Sequence, residues 1–252
     1  MTKQVIAFDL DGTLAESKSA LPDRMGELLT ELLERYQVCV ISGGKFEQFE
    51  KQLLANLHAT PTYLERLHIM PTCGTRYHTY NLSNGAWDLN YAEDFTVDEK
   101  KKIISALEAG IDELDLREKE PWGDLIEDRG SQITFSALGQ EAPVHAKEAW
   151  DPDSKKKHAL RSVVAEKIPE FEVRTGGSTS IDITKLGIDK AYGIRRLMEL
   201  VEVGEEEILF VGDRLEEGGN DYPVKAMGID SIAVTKWQDT ALVIETLVKI
   251  AG

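Results

Sequence analysis

The sequence predicts an α/β protein: a Rossmann-like parallel-sheet core interrupted by an inserted α+β domain. Three observations carry that prediction. Short apolar runs alternate with helical spacings at the start of the chain and again at its end. Those runs are apolar throughout, as in strands buried on both faces, and do not alternate with polar residues. Between the two stretches the order changes to helix, two strands, helix, two strands, which reads as an antiparallel sheet with helices.

In chain order, residues 4–10 form the first apolar run, with a β-branched Val5-Ile6 pair. Met25, Leu28, Leu29, Leu32 and Leu33 give helical spacing over 22–36. Residues 37–41 are a second strand, and 45–57 are helix-like through Phe46, Phe49, Leu53 and Leu54. Residues 67–70 make a third strand. The inserted part begins with an amphipathic helix over 96–114. Strands over 124–129 and 132–138 pair across Gly130-Ser131. A second helix spans 153–168, its first turns carrying Lys155-Lys156-Lys157 as a solvated face. Strands over 172–175 and 179–184 pair across Gly176-Gly177-Ser178, and 139–152 reads as loop. The core pattern returns as a helix over 190–203, a strand over 208–212, a short helix over 220–227, a strand over 231–234 and a helix over 239–250. The expected core is therefore 1–88 with 186–252, and the insertion is 89–185.

Composition narrows the function classes. With 29 basic and 45 acidic residues the net charge is −16, which argues against a nucleic-acid or anionic-membrane surface. No apolar stretch is long enough to span a bilayer. Met1-Thr2-Lys3-Gln4 runs into a short strand pattern without the apolar region of a signal peptide, so a cytoplasmic protein is expected. The two cysteines, Cys39 and Cys73, sit in apolar runs and read as reduced core residues. His58, His68, His78, His145 and His158 show no metal or triad spacing.

Chemistry gathers at the strand ends. The first strand closes in Phe8-Asp9-Leu10-Asp11-Gly12-Thr13. Two carboxylates at the carboxyl end of a buried strand are costly unless a cation joins them, although Asp/Gly clusters also make ordinary turns. Open α/β sheets bind ligands at that end. The second strand ends in Ser42-Gly43-Gly44, where a hydroxyl and N–H groups at a helix start suit an anion or a plain N-cap. The strand over 208–212 leads into Gly212-Asp213-Arg214 and then Gly218-Gly219-Asn220-Asp221. Lys190 opens a helix, where a cation opposes the dipole and calls for another partner. Together these groups suit phosphoryl transfer. A carboxylate attacks a phosphate only if a divalent ion and a lysine screen their repulsion. A second carboxylate can then move the proton. An all-oxygen ligand set points to Mg²⁺.

These residues resemble the four motifs of the haloacid-dehalogenase-like (HAD) phosphotransferase superfamily, and the insertion resembles its type-IIB cap. Within that group the chain is similar to the eukaryotic-type phosphomannomutases over 42–53, 125–139, 176–182 and 212–221. The resemblance implies that Asp9 is the nucleophile and Asp11 the general acid/base, also binding Mg²⁺ through its backbone carbonyl. It makes Asp213 a metal ligand, with Asn220 and Asp221 supporting the metal or its loop. Ser42, Gly43 and Lys190 hold the phosphoryl group, and Lys18, Arg129, Ser180 and Asp182 meet the substrate. Two cap positions where the mutases carry arginine are Trp122 and Gln140 here, and the core arginine after the first motif is Lys18. Replacing bidentate arginines weakens a distal phosphate clamp. The expectation is Mg²⁺-dependent hydrolysis of a small phosphorylated metabolite, a sugar phosphate, through an aspartyl phosphate. The alternative is a phosphohexose mutase interconverting 1- and 6-phosphates. A homodimer through the cap is the family precedent. Receiver domains combine similar residues, but they are much shorter and lack the insertion.

Overall fold

A computed structural model describes residues 3–251 as two units. One runs through Ala92 and resumes at Asp189; the other spans Glu93–Ile188. Met1, Thr2 and Gly252, which the expected core range includes, lie outside the described residues. The first stretch holds β1 (Val5–Asp9), α1 (Asp23–Leu33), β2 (Gln37–Ile41), α2 (Phe46–Gln52), α3 (Pro61–Leu64), β3 (Leu67–Met70), β4 (Arg76–Asn81) and β5 (Ala86–Ala92). The middle holds α4 (Val97–Glu113), β6 (Ile126–Asp128), β7 (Gln132–Ser136), α5 (Val144–Trp150), α6 (Lys155–Lys167), β8 (Phe171–Thr175) and β9 (Ser180–Lys185). The last holds α7 (Lys190–Val201), β10 (Ile208–Gly212), α8 (Tyr222–Ala226), β11 (Asp230–Ala233) and α9 (Trp237–Ala251).

The first unit is built on a seven-stranded sheet in the order β11-β10-β1-β2-β3-β4-β5. The five strands from β11 to β3 are parallel, and β4 and β5 add an antiparallel edge. The continuous apolar character of β1 follows from burial on both sides. Ile6 and Phe8, with Val38, Val40 and Ile69, pack in a core with Met25, Leu29 and Leu32 of α1 and Ile244 of α9. Val5 and Ala7, with Cys39, Ile41 and Phe210, pack instead with Ile194 and Leu197 of α7. Each fully buried Leu, Ile or Phe is worth about 1.5–3 kcal/mol relative to exposure.

Four differences from the sequence reading have physical reasons. Strands β4 and β5 went unassigned because Thr79, Asn81, Asp88 and Asn90 break the apolar run on a half-exposed edge. Their turn at Asn84-Gly85, with Gly85 at φ 67°, was the available signal. The division between units accordingly falls after Ala92, because β5 carries the sheet past Leu89. The expected loop over 139–152 contains α5, which starts after Pro143 and is made of good helix formers such as Ala146, Lys147, Glu148 and Ala149. The expected helix over 45–57 is α2 followed by a separate short turn, Leu54–Asn56.

The second unit is a four-stranded antiparallel sheet, β6-β7-β9-β8. Ile103, Leu107 and Ile111 of α4 and Leu160 and Val164 of α6 cover one face, against Ile133, Phe135, Val173, Ile181 and Ile183. Thr96 and Glu99 close α4 with reciprocal bonds between side chain and backbone, worth about 1 kcal/mol. The opposite face is polar: Glu127, Thr134, Asp182 and Arg174 stand in one register row across the four strands. Lys157 does not share the solvated face expected of its run, since it is buried and its ammonium donates to the Gly177 carbonyl at 3.0 Å.

Candidate active site

Parallel pairing sets the site. Asp9 ends β1 and faces Ile41 in register, so Ser42 follows at the end of the adjacent strand. On the other side β10 ends at Gly212, which places Asp213 one residue beyond the sheet. Asp221 immediately precedes α8, and Lys190 is the first residue of α7, whose N-cap Asp189 accepts the backbone N–H of Tyr192 at 2.9 Å.

Lys190 is the centre of the cluster. Its Nζ lies 2.5 Å from Asp9 Oδ1 and 2.5 Å from Asp221 Oδ1. All three side chains are buried. The other oxygen of Asp221 accepts the backbone N–H of Arg214 at 3.0 Å. Asp9, Asp213 and Asp221 each offer a carboxylate oxygen, and these lie within 4.8 Å of one another. Burial pushes the Asp9 carboxyl up to about 8; Lys190 opposes the shift, and Asp221 and Asp213 add to it. Burial and Asp221 raise Asp213 as well, again against Lys190. Burial alone would lower Lys190, but Asp9 and Asp221 outweigh it and hold the ammonium above its ordinary range. Three crowded carboxylates share one ammonium. That donor set fits a hard divalent cation such as Mg²⁺, which prefers oxygen ligands. Gly12 (φ 86°) leaves room for the Asp213 carboxylate, since a Cβ there would sit 2.5 Å from Asp213 Oδ2.

Asp11 is held separately. Its Oδ1 accepts the backbone N–H of Lys18 at 2.7 Å and Gln52 Nε2 at 3.1 Å, and its Oδ2 accepts Gln48 Nε2 at 2.8 Å. Sequence reasoning missed these two glutamines, although their i, i+4 spacing puts them on one face of α2. Ser42 is buried, and its Oγ accepts the backbone N–H of Gly44 at 3.2 Å, which defines the Ser42-Gly43-Gly44 loop. Lys18 and Asn220 are exposed, unlike the buried Asp221 beside Asn220.

In the second unit Asp182 Oδ1 accepts Gln132 Nε2 at 3.0 Å and Thr134 Oγ1 at 2.7 Å. Ser180 stands on the same strand two residues away, so it shares that face. Arg129 is ion-paired through Nε with Glu127 Oε2 at 2.8 Å. Arg174 approaches Glu172 at 3.5 Å.

The comparisons with known proteins fall on this framework. The model of the family described as eukaryotic phosphomannomutase matches residues 25–250. The chain belongs to that family. A phosphomannomutase of Encephalitozoon cuniculi is 26% identical, covering 99% of this chain and 95% of that protein. Phosphomannomutase 2 of Dictyostelium discoideum is 26% identical over 87% of this chain and 86% of its own. Among solved structures, a haloacid dehalogenase-like hydrolase from Bacteroides thetaiotaomicron superposes with a TM-score of 0.65 at 18% identity, covering 98% of this chain and 100% of that one. A trehalose-6-phosphate phosphatase related protein gives 0.62 at 17% identity, with 98% of both chains covered. These structures share the fold. The chain is thus an enzyme of the phosphomannomutase family with the fold of those hydrolase structures. Among the described residues, no helix is long and apolar enough to cross a membrane.

Proposed function

We propose that the chain transfers a phosphoryl group through Asp9 on a hexose phosphate, as a phosphohexose mutase of the phosphomannomutase type. The Asp9–Lys190–Asp213–Asp221 cluster, in a chain whose family match runs over 25–250, is the observation that carries the reading. An Asp9 carboxylate oxygen attacks phosphorus, and the bond from phosphorus to the sugar oxygen breaks. Asp11 gives its proton to that leaving oxygen. In the second half a sugar hydroxyl attacks the aspartyl phosphate, Asp11 takes its proton, and the bond to Asp9 breaks. Ser42, the Gly43 backbone and Lys190 hold the phosphoryl oxygens. Asp9, Asp213, Asp221 and the Asp11 backbone carbonyl would hold Mg²⁺, with Asn220 supporting the loop, and the ion would supply charge neutralisation there. Lys18, Arg129, Ser180 and Asp182 meet the sugar, and the second unit acts as a cap. The same reading makes the substrate a small phosphorylated molecule, places the protein in the cytoplasm and pairs two copies through the cap.

One observation favours a second reading, net hydrolysis of a sugar monophosphate. A mutase must hold a second phosphate at the cap, yet Arg129 and Arg174 are each engaged by a glutamate, and the resemblance puts Trp122 and Gln140 at positions where the mutases carry arginine. Water would then replace the sugar hydroxyl in the second half.

The deciding experiment offers a panel of hexose phosphates with Mg²⁺, with and without a hexose bisphosphate. Bisphosphate-dependent interconversion of 1- and 6-phosphates without net phosphate release supports the mutase. Steady release with no interconversion replaces it with the hydrolase. Neither activity on any member of the panel rejects both.

A further inference from the structure

Three consecutive residues after β3 adopt left-handed backbone: Thr72 at φ 48°, Cys73 at 57° and Gly74 at 83°. Side-chain-bearing residues take this conformation at a cost, and runs of it persist only where surrounding contacts impose it. Here the contacts lead to two places. The backbone N–H of Thr72 donates to the Gly44 carbonyl at 3.0 Å, and that of Cys73 donates to the Ser42 carbonyl at 2.9 Å. Both bonds end on the loop that carries Ser42 and Gly43. On its other side the turn meets α7 backbone to backbone at Gly193, beside the Ile41 side chain. A Cβ on Gly74 would sit 2.4 Å from the Gly193 Cα, and a Cβ on Gly193 would sit 2.7 Å from the Cys73 carbonyl oxygen. Gly193 is three residues along the same helix from Lys190. Tyr91 Oη donates to the Gly74 carbonyl at 2.7 Å, and Thr75 Oγ1 donates to the Thr72 carbonyl at 2.8 Å, so the turn is fixed from both ends.

We infer that the Thr72-Cys73-Gly74 turn is a positioning element that sets the Ser42–Gly44 loop and the Lys190 helix in one register, so that both meet the same phosphoryl group. Cys73 and Gly74 touch no substrate; they act through Ser42 and Lys190. This rests on the phosphate-holding role proposed for those two residues.

The test is inorganic phosphate binding in the presence of Mg²⁺, followed by ³¹P NMR on the full chain well below its melting temperature. Cys73→Val puts a β-branched residue where φ is positive, and its phosphate affinity is expected to fall roughly tenfold. Cys73→Asn and Cys73→Gly adopt left-handed backbone readily and are expected to stay within about twofold of the parent. Ile244→Val, a distant core change, controls for stability and leaves the affinity unmoved. If Cys73→Val does not fold, Gly74→Ala replaces it: its Cβ would sit 2.4 Å from the Gly193 Cα at φ 83°, with an expected loss of roughly tenfold. A folded Cys73→Val or Gly74→Ala that binds phosphate like the parent overturns the inference. A parent chain that binds no phosphate at all overturns the reading of the site itself, and the inference with it.

Discussion

The Lys190 ammonium lies 2.5 Å from an oxygen of Asp9, and both side chains are buried. A lysine at the first position of a helix opposes the helix dipole, so this pairing, with Asp221 on the other side, is what keeps it there. Its removal leaves the carboxylates buried without their counter-ion.

Lys190→Met is therefore expected to cost about 3–5 kcal/mol of stability in metal-free protein, read from urea unfolding. Phosphoryl transfer should fall by roughly 10²–10³-fold, since the transition-state charge loses a fixed donor. Equal stability in parent and variant would show that the pair is not closed off as described.

Asp9→Asn should remove turnover while urea unfolding stays cooperative. Near-normal phosphate transfer by this variant, with Mg²⁺ supplied, would rule out a covalent route through Asp9.

Gly12→Ala forces a Cβ to within 2.5 Å of Asp213 Oδ2 at a backbone φ of 86°. Displacing a carboxylate of the Asp9–Asp213–Asp221 cluster, proposed above to hold Mg²⁺, is expected to raise the half-saturating Mg²⁺ concentration by roughly 10–100-fold. A Mg²⁺ titration of activity in which the variant overlays the parent would contradict that placement.

Gln48→Leu removes one of the side-chain amides that hold Asp11. If Asp11 moves the proton as proposed, misplacing it should lower kcat by roughly ten- to a hundredfold with KM changed far less. Steady-state kinetics checks this, and a loss confined to KM would assign Gln48 to binding.

His78 gives a pH prediction away from the reaction. It stacks on Phe46 with centroids 3.8 Å apart, and neither ring nitrogen has a protein partner. Burial, helped by Arg76, holds its pKa down at about 4, against an ordinary 6.5. Burial does the same to His68, whose nitrogens meet Tyr77 and Gln37. A depressed histidine favours the folded state above its unfolded pKa, and that contribution is lost as pH falls from 6.5 toward 4. His78→Leu should flatten thermal stability across this window and add about 1 kcal/mol or more at neutral pH. An unchanged slope would mean that His78 is protonated without cost in the folded protein.

Much of the architecture was readable because its physical causes are local. Strand β1 is apolar at every position because both of its faces are covered, and a continuous run is what such a strand must look like. Asp9, Asp213 and Lys190 stood out because each sits badly where it is unless something else joins it. Gln48 and Gln52 did not stand out, because an amide on a helix face is unremarked until the partner across from it is known. The β4–β5 edge was lost for a related reason: its residues answer to solvent on one side, so their pattern resembles a polar loop. The left-handed turn at Thr72–Gly74 was hidden because only Gly74 of the three is a residue that prefers such backbone.

The pairing of β1 with β10 has a consequence for biosynthesis. Asp9 precedes the Lys190 that neutralises it by 181 residues, and the whole second unit is translated between them. The nascent polypeptide therefore carries the Asp9 carboxylate without that ammonium until the second unit has been made, and the chemistry proposed for it waits on that long-range closure.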